Sequence, residues 1–224
     1  MVAEHAGGGS EDTRQALIVA AGELFAQQGY DATSTRSIAD AAGVNLGAIH
    51  YHFGGKEALY LACFAIACRA EESEAERIRL WAEAETRGEL DRPQVQAQLV
   101  YAFTRLQVCE FLSPQRPWWQ QRLLIRELDR PSSAYDRLIE DLFRRNHQHW
   151  LRLHHLVCPD GDRRVGHIWA LQHAAHMVFY LQARPAVEKL VELPVDGAYI
   201  AELVAQIARS LILQLGLPLP EELQ

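Results

Sequence analysis

The sequence has no long apolar run. No uninterrupted stretch approaches the roughly 18 residues that a membrane-spanning helix needs. Residues 1–10 also lack the basic-then-apolar layout of a secretion signal. Together these absences predict a cytoplasmic protein that has no membrane partner.

Cysteine is scarce as well. The chain has four cysteines, and no two of them form a C-x-x-C pair. They lie in apolar stretches with helical spacing, so we expect reduced thiols in the core rather than disulfides. These residues are Cys63, Cys68, Cys109 and Cys158.

Signatures of catalysis and cofactor binding are missing. The sequence holds no G-x-S-x-G, H-E-x-x-H, Walker loop or dinucleotide-binding glycine fingerprint. His173 and His176 share a helix face, but a closed metal site needs further ligands that the sequence does not offer. We therefore expect no enzyme, no cofactor and no metal site. The alternative from another class is a helical, metal-dependent or ligand-binding enzyme.

Positive charge is in short supply. The net charge is −7, and residues 11–60 contain three basic and six acidic side chains. Non-specific attraction to nucleic acid depends on positive charge, so this balance disfavours a protein that coats DNA without sequence preference. A helix placed in a groove needs only a few well-aimed donors, so sequence-specific binding is compatible with the acidity.

Apolar residues recur with helical spacing along nearly the whole chain, and no stretch alternates as a strand does. The pattern predicts an all-α fold of about nine helices. One long helix is expected from Lys56 to Thr86, and the later ones are expected over 95–112, 118–128, 132–157, 162–183 and 196–215.

Three helices are predicted before residue 54. Ser10 is the expected cap of the first helix, and the second runs from Thr33 or Ser34 to Ala42. Gly43 then allows a tight turn, and the third helix is expected to begin at its cap, Asn45.

The third of these helices has a distinctive outer face. If Ile49 and Phe53 face the core, then Leu46, Gly47, His50 and Tyr51 point outward. Because Gly47 and Ala48 are small, the helix backbone can approach a groove floor closely.

The run from Gly29 to Leu59 resembles the helix-turn-helix signature of the tetracycline-repressor (TetR) family of transcriptional regulators. It contains the G-Y, T, I-A-x-x-A-G-V, Y-x-F and K-E-x-L elements in order and spacing. Asn45 stands where the family often has serine, which preserves capping. His50 stands where an aromatic residue is common, and this departure is expected to change base preference.

The resemblance implies a homodimer that binds a palindromic double-stranded DNA operator and is released by a small-molecule effector, as a repressor. It divides the chain into a flexible tail (1–10), a helix-turn-helix DNA-binding domain (11–57), a ligand-binding and dimerisation domain (58–217) and a frayed C-terminus (218–224). The implied DNA-binding residues are Thr35, Arg36, Leu46, Gly47, Ala48, His50, Tyr51, His52 and Lys56.

A second resemblance lies further along the chain. Arg126-Glu127-Leu128, followed by Pro131-Ser132 and Ala134, is similar to a TetR subgroup whose distinct C-terminal domain senses antibiotics or other small organic compounds. Aromatic and sparse polar residues suit such a pocket, although each of them could equally be core. The candidates are Phe103, Cys109, Phe111, Trp118, Trp119, Tyr135, Trp150, Trp169 and His173.

The last two helices are the predicted dimer surface. Trp169, His173, His176 and Tyr180 recur with helical spacing on the first, and a second apolar stripe follows on the last helix. The alternative is that both stripes face their own subunit's core. The proposed interface residues are His176, Tyr180, Ile200, Leu203, Val204, Ile207 and Leu211.

Overall fold

The computed structural model describes residues 8–68 and 71–224, and every regular element within them is helical. This confirms the predicted all-α fold. None of the described helices is long and apolar enough to cross a membrane. The helices are α1 (Gly8–Gln28), α2 (Thr35–Ala42), α3 (Gly47–Phe53), α4 (Lys56–Ala67), α5 (Glu71–Thr86), α6 (Pro93–Leu112), α7 (Trp118–Asp129), α8 (Tyr135–Arg137), α9 (Arg145–Val157), α10 (Arg163–Val191) and α11 (Gly197–Gln214).

The chain forms two compact units. The first contains α1 to α4 and, from further along the chain, Pro117–Ile139 with α7. The second contains α5, α6 and the helices from α9 onward. The first unit therefore takes in more than the predicted segment 11–57, and the functional division at residue 57 stays a prediction.

The core of the first unit is built on the apolar stripe of α1. Leu17, Ala21 and Phe25 recur with helical spacing, and all three are fully buried. Ile38 of α2 and Ile49 of α3 are buried as well. These contacts fix the two short helices against the longer one, since short helices gain most of their stability from tertiary packing.

Helix α7 packs directly on α1. A Cβ atom added at Gly22 would lie 2.5 Å from Cε3 of Trp119, so only glycine lets the indole ring sit this close to the backbone. At the end of α1, Arg126 donates a hydrogen bond of 3.0 Å to the carbonyl of Gln28. Trp119 is thus a core residue of the first unit.

A buried carboxylate links α4 to the segment that follows α7. Glu127 is 1% exposed and accepts a hydrogen bond of 2.7 Å from the Tyr60 hydroxyl. The backbone N–H and the hydroxyl of Ser132 donate to the same carboxylate, at 2.5 and 2.9 Å. A buried charge is tolerated when it is hydrogen-bonded in this way, so the network holds α4 and α7 together.

Two predicted boundaries are wrong. The helix expected from Lys56 to Thr86 is two helices, because α4 ends at Ala67 and α5 begins at Glu71. Ser10 lies inside α1 rather than capping it, and of the predicted tail only residues 8–10 are described, all of them helical. Residues 1–7 lie outside the described part of the chain.

Two later boundaries differ as well. Helix α10 continues past Pro185 to Val191, well beyond the predicted end at Ala183. The C-terminus, predicted to fray, makes a 3-10 turn over Glu221–Leu223, and Leu223 is buried. Its carbonyl accepts a hydrogen bond of 3.0 Å from Nε of Arg209, which fixes the turn to α11.

The second unit is centred on α6 and α11, which pack along each other. Trp169 of α10 donates a hydrogen bond of 3.1 Å from its indole nitrogen to the Leu211 carbonyl of α11. Before α9, residues Leu138–Arg144 form a π-helical segment that contains the boundary between the two units. Such segments are rare in proteins, and those that do occur often lie at functional sites.

Candidate nucleic-acid interface

Helix α2 begins with a capping box. The Ser34 hydroxyl accepts a hydrogen bond of 3.0 Å from the backbone N–H of Ser37, and the Ser37 hydroxyl accepts one of 3.2 Å from the N–H of Ser34. The helix start is therefore fixed by its own sequence. Thr35 and Arg36 occupy the first turn, and the Arg36 side chain is exposed.

The turn between α2 and α3 depends on Gly43. Its φ of 66° and ψ of 30° lie in the left-handed region that favours glycine. The N–H of Val44 donates a hydrogen bond of 3.0 Å to the Ala39 carbonyl, and that of Gly43 donates one of 3.2 Å to the Asp40 carbonyl. These bonds end α2 and redirect the chain into α3 within a few residues.

Helix α3 is capped by the predicted residue. The Asn45 side-chain oxygen accepts a hydrogen bond of 2.9 Å from the N–H of Gly47, and its carbonyl accepts one of 2.9 Å from that of Ala48. Ile49 is buried and anchors the helix. Phe53 is half-buried, and the Arg14 guanidinium lies 5.3 Å from its ring centroid.

Five of the nine predicted DNA-contacting residues are exposed, and the other four are half-buried. Tyr51 is 82% exposed, and Leu46 is 50% exposed although both are large and apolar. Apolar surface is costly in water, so its exposure beside a helix-turn-helix suggests that a partner covers it. The exposed members are Arg36, Leu46, Gly47, His50 and Tyr51, and the half-buried members are Thr35, Ala48, His52 and Lys56.

The start of α4 places a cation beside an aromatic ring. Nζ of Lys56 lies 4.3 Å from the ring centroid of Tyr30. Partial burial, followed by the charges of Glu57 and Asp31, raises the pKa of the Tyr30 hydroxyl. Lys56 is the first residue of α4, where free backbone amides favour an anion such as a DNA phosphate. The arrangement therefore suits a backbone contact.

Two family models match the chain. One, described as bacterial regulatory proteins of the tetR family, matches residues 17–63. The other, described as the C-terminal domain of the HTH-type transcriptional dual regulator CecR, matches residues 97–216, more than half of the chain. The chain belongs to the TetR family of transcriptional regulators. TetR-family members are DNA-binding proteins and not enzymes.

Individual relatives agree with this assignment. CecR of Shigella flexneri is 33% identical over 150 residues, which are 64% of this chain and 63% of CecR. The HTH-type transcriptional repressor AcnR of Corynebacterium efficiens is 41% identical over 51 residues, 23% of this chain and 27% of AcnR. The alignments thus span less than two thirds of either relative.

A solved structure shares the TetR fold. It is a bacterial regulatory protein of the tetR family from Rhodococcus RHA1, with a TM-score of 0.61 and 19% sequence identity. The match covers 92% of this chain and 98% of that one. At this identity the likeness shows a common fold and nothing more specific.

The predicted pocket residues are divided between the two units. In the second unit, Trp150 lies at the centre of an aromatic group, with ring centroids 4.2 Å from His173, 5.7 Å from Trp169 and 6.4 Å from Phe103. Phe111 is buried on α6 and Cys109 is exposed, while Trp118, Trp119 and Tyr135 belong to the first unit. The structure therefore brings together four of the nine candidates.

The predicted dimer stripe on α11 needs correction. Ile200, Val204, Ile207 and Leu211 are all buried within the single chain, where α11 packs on α6. This stripe faces its own core, which was the alternative interpretation. Leu203 and Tyr180 are half-buried and His176 is exposed.

No group of three metal-ligating side chains exists among the described residues.

Two features of the second unit were missed by sequence reasoning. The first is Arg77, which is buried on the inner face of α5, in helical register with the buried Trp81 and Ala84. An arginine at a position of an apolar stripe is visible in the sequence, so this signal could have identified Arg77 as a buried charge. The other feature is an exposed apolar stripe on α10.

Proposed function

We propose that this TetR-family regulator is a repressor that binds a palindromic operator as a homodimer and is released by a small molecule bound in its second unit. The observation that carries the proposal is the exposed surface formed by Arg36 and the outer face of α3. A dimer covering a promoter blocks transcription by occupying the site, and the relative AcnR is named a repressor.

Base reading is assigned to three exposed residues, Arg36, Leu46 and His50. Arg36 can donate two hydrogen bonds to one guanine, Leu46 can contact a thymine methyl group, and His50 can hydrogen-bond to a base edge. Gly47 and Ala48 let the α3 backbone approach the groove floor. Phosphate contacts, which position the helix without reading sequence, are assigned to Thr35, Tyr51, His52 and Lys56.

The dimer surface is assigned to the outer face of α10. Val165, Ile168, Leu171 and Phe179 are each at least half exposed, and their spacing places them in one stripe along the helix. His176 lies at the edge of this stripe. An apolar face of this extent is expected to be covered by a second copy, because a palindrome is read by two helices spaced about 34–36 Å apart.

Release of DNA is a linkage between two binding events. To change operator occupancy from 99:1 to 1:99, the ligand must prefer the released conformation by about 5.5 kcal/mol. Two equivalent sites in a dimer can share this difference.

The test begins with selection of bound duplexes from a random pool by the purified full chain. We expect a palindromic sequence to be enriched, and fluorescence anisotropy then measures the affinity of the recovered operator. Recovery of sequences with no common motif would contradict the proposal. A compound screen for reversal of binding on the same duplex tests the release step.

Substitution separates the two kinds of DNA contact. Arg36→Ala is expected to cost about 1–3 kcal/mol and to relax specificity at one base pair. Lys56→Ala is expected to weaken all sequences alike and to lower the salt dependence by about one phosphate contact. Anisotropy titrations on the operator, on single-base variants and at several salt concentrations check this. If both substitutions weaken every duplex equally, Arg36 does not read a base.

A further inference from the structure

Arg77 is a buried cation with incomplete hydrogen bonding. Its side chain is 2% exposed, and neither Nε nor Nη1 has an acceptor among the described residues. Nη2 lies 3.4 Å from Oε2 of Glu74, a long contact for an ion pair. Buried guanidinium donors are normally all paired, because leaving them unpaired costs folding free energy. A bound ligand that carries a hydrogen-bond acceptor would therefore pair with the free donors of Arg77.

The neighbouring carboxyl groups only partly balance the charge of Arg77. Both oxygens of Glu74 are shared with Nε2 of His149, at 2.9 and 3.0 Å. The other carboxyl that attracts Arg77 is that of Glu110. Burial raises the pKa of Glu110, against the opposing effects of a hydrogen bond with Ser73 and the charges of Arg77 and Arg116. Nε and Nη1 of Arg77 therefore remain available as donors to a further acceptor.

The surrounding side chains are aromatic and buried. Phe103 of α6, Trp150 of α9 and His173 of α10 are each at most 3% exposed, and the Phe103 ring also lies edge-on to His149. The indole N–H of Trp150 is already bound to Gln107 at 2.8 Å and one face of the ring is stacked on His173, so Trp150 can offer a ligand only apolar contact. Aromatic walls with a few polar groups are typical of sites for small organic molecules.

His173 adds a second buried polar group. Its Nδ1 has no partner in full hydrogen-bonding geometry within the described part of the chain, although the backbone of Ala170 lies within reach of the imidazole. Burial, together with the smaller effects of the charges of His147, His176 and Arg77, lowers the pKa of His173 to about 3, against a hydrogen bond with the backbone of Ala170 that raises it. The imidazole is therefore neutral at pH 7 and can hydrogen-bond to a ligand without adding charge.

We propose that Arg77, on the inner face of the second unit, anchors the carboxylate of a small aromatic acid whose ring packs beside the group formed by Phe103, Trp150 and His173. The inference rests on the proposed ligand-released function and names its ligand class. Hydrogen bonds from a guanidinium to a carboxylate are about twice as strong as those to a neutral oxygen. A cationic ligand would instead be repelled by Arg77.

Matched acids and amides test the charge requirement on the unmodified protein. The probes are benzoate, 2-naphthoate and 9-anthracenecarboxylate, each paired with its uncharged amide of the same shape. Isothermal titration calorimetry at pH 7 on the full chain, without DNA, is expected to show at least one acid binding roughly 10- to 100-fold more tightly than its amide. Failure of all three acids to bind, or equal binding of acid and amide, overturns the proposal.

Substitution of Arg77 tests the position of the site. Arg77→Met keeps the side-chain length while removing the unpaired donors, and is expected to weaken the acid by a similar roughly 10- to 100-fold. The matched control is Arg152→Gln, which removes an exposed guanidinium that stacks 3.7 Å over Trp81 in the same unit. The control is expected to bind the acid as the parent does. Unchanged binding of the acid in a folded Arg77→Met variant overturns the proposal. If that variant does not fold, Arg77→Lys is measured in its place. The comparison of each acid with its amide on the unmodified protein then still tests the proposal.

The ligand class and the release mechanism can fail separately. If an acid binds through Arg77 but leaves the operator bound, the site stands and ligand release is wrong. If compounds of another class release the operator while no aromatic acid binds, the ligand class is wrong and the proposed function stands.

Discussion

A single buried residue, His173, makes the stability of this fold depend on pH. Its imidazole stacks on Trp150 and is 3% exposed. In the unfolded chain its pKa returns to about 6.5. Because the pKa in the folded state is about 3, the unfolded state binds the extra proton first as the pH falls. His173 therefore makes the protein less stable below pH 6.5, down to about pH 3.

We expect the substitution His173→Phe to remove this pH dependence while keeping an aromatic ring against Trp150. Each pH unit below about 6 should favour the variant over the parent by about a further 1.4 kcal/mol in free energy of unfolding. Urea unfolding at pH 7, 6 and 5 measures the difference. A difference that stays constant from pH 7 to pH 5 would show that His173 is not held neutral.

At the scale of helices, the attachment of α7 to α1 depends on one glycine. Gly22→Ala places a methyl group within van der Waals overlap of the Trp119 ring, which is rigid and buried. We expect a loss of about 1–3 kcal/mol in free energy of unfolding, despite the better helix propensity of alanine. Chemical denaturation checks this.

The control for that prediction lies on the same helix. A Cβ atom at Gly9 would meet nothing within 4 Å, so Gly9→Ala should leave stability unchanged or slightly raised. If Gly22→Ala behaves like Gly9→Ala, the close approach of Trp119 to α1 is incorrect.

Helices α2 and α3 could be predicted because their signals are local. Ser34, Gly43 and Asn45 each act within a few residues, and the structure confirms the capping and the turn. The break between α4 and α5 could not be predicted, because no glycine or proline stands between Cys68 and Glu71. A helix boundary without a local breaker is set by tertiary packing.

Long-range packing hid the rest of the architecture. The position of α7 depends on a contact between Gly22 and Trp119, which are far apart in the sequence. The stripe on α11 correctly indicated a buried face, but periodicity alone does not say whether the same chain or a partner covers it. In the structure α6 covers it, whereas several apolar residues of α10 are exposed.

At the scale of the whole molecule, the acidic charge limits how DNA can be bound. With a net charge of −7, the protein is expected to bind random DNA weakly, so a few contacts of α2 and α3 must supply the preference for an operator. Pairing two copies doubles those contacts. The proposed dimerisation is therefore expected to matter for operator affinity as well as for symmetry.

Charge placed on the outer face of α10 should separate the copies. We expect Ile168→Glu, at a position that is 62% exposed, to yield a folded monomer in sedimentation velocity and to lose most operator affinity. Ile78→Glu on α5, at a position that is 56% exposed, is the control and should remain dimeric. Dimers of equal strength in both variants would place the interface elsewhere.

The spacing of the two operator halves tests the central claim most directly. The claim is that two copies of α3 enter successive major grooves on one face of the duplex, about one helical turn apart. Inserting about 5 base pairs between the halves of the selected operator turns them to opposite faces of the DNA, so affinity should fall to that of random DNA. Equal affinity for the parent and the lengthened operator would contradict the account.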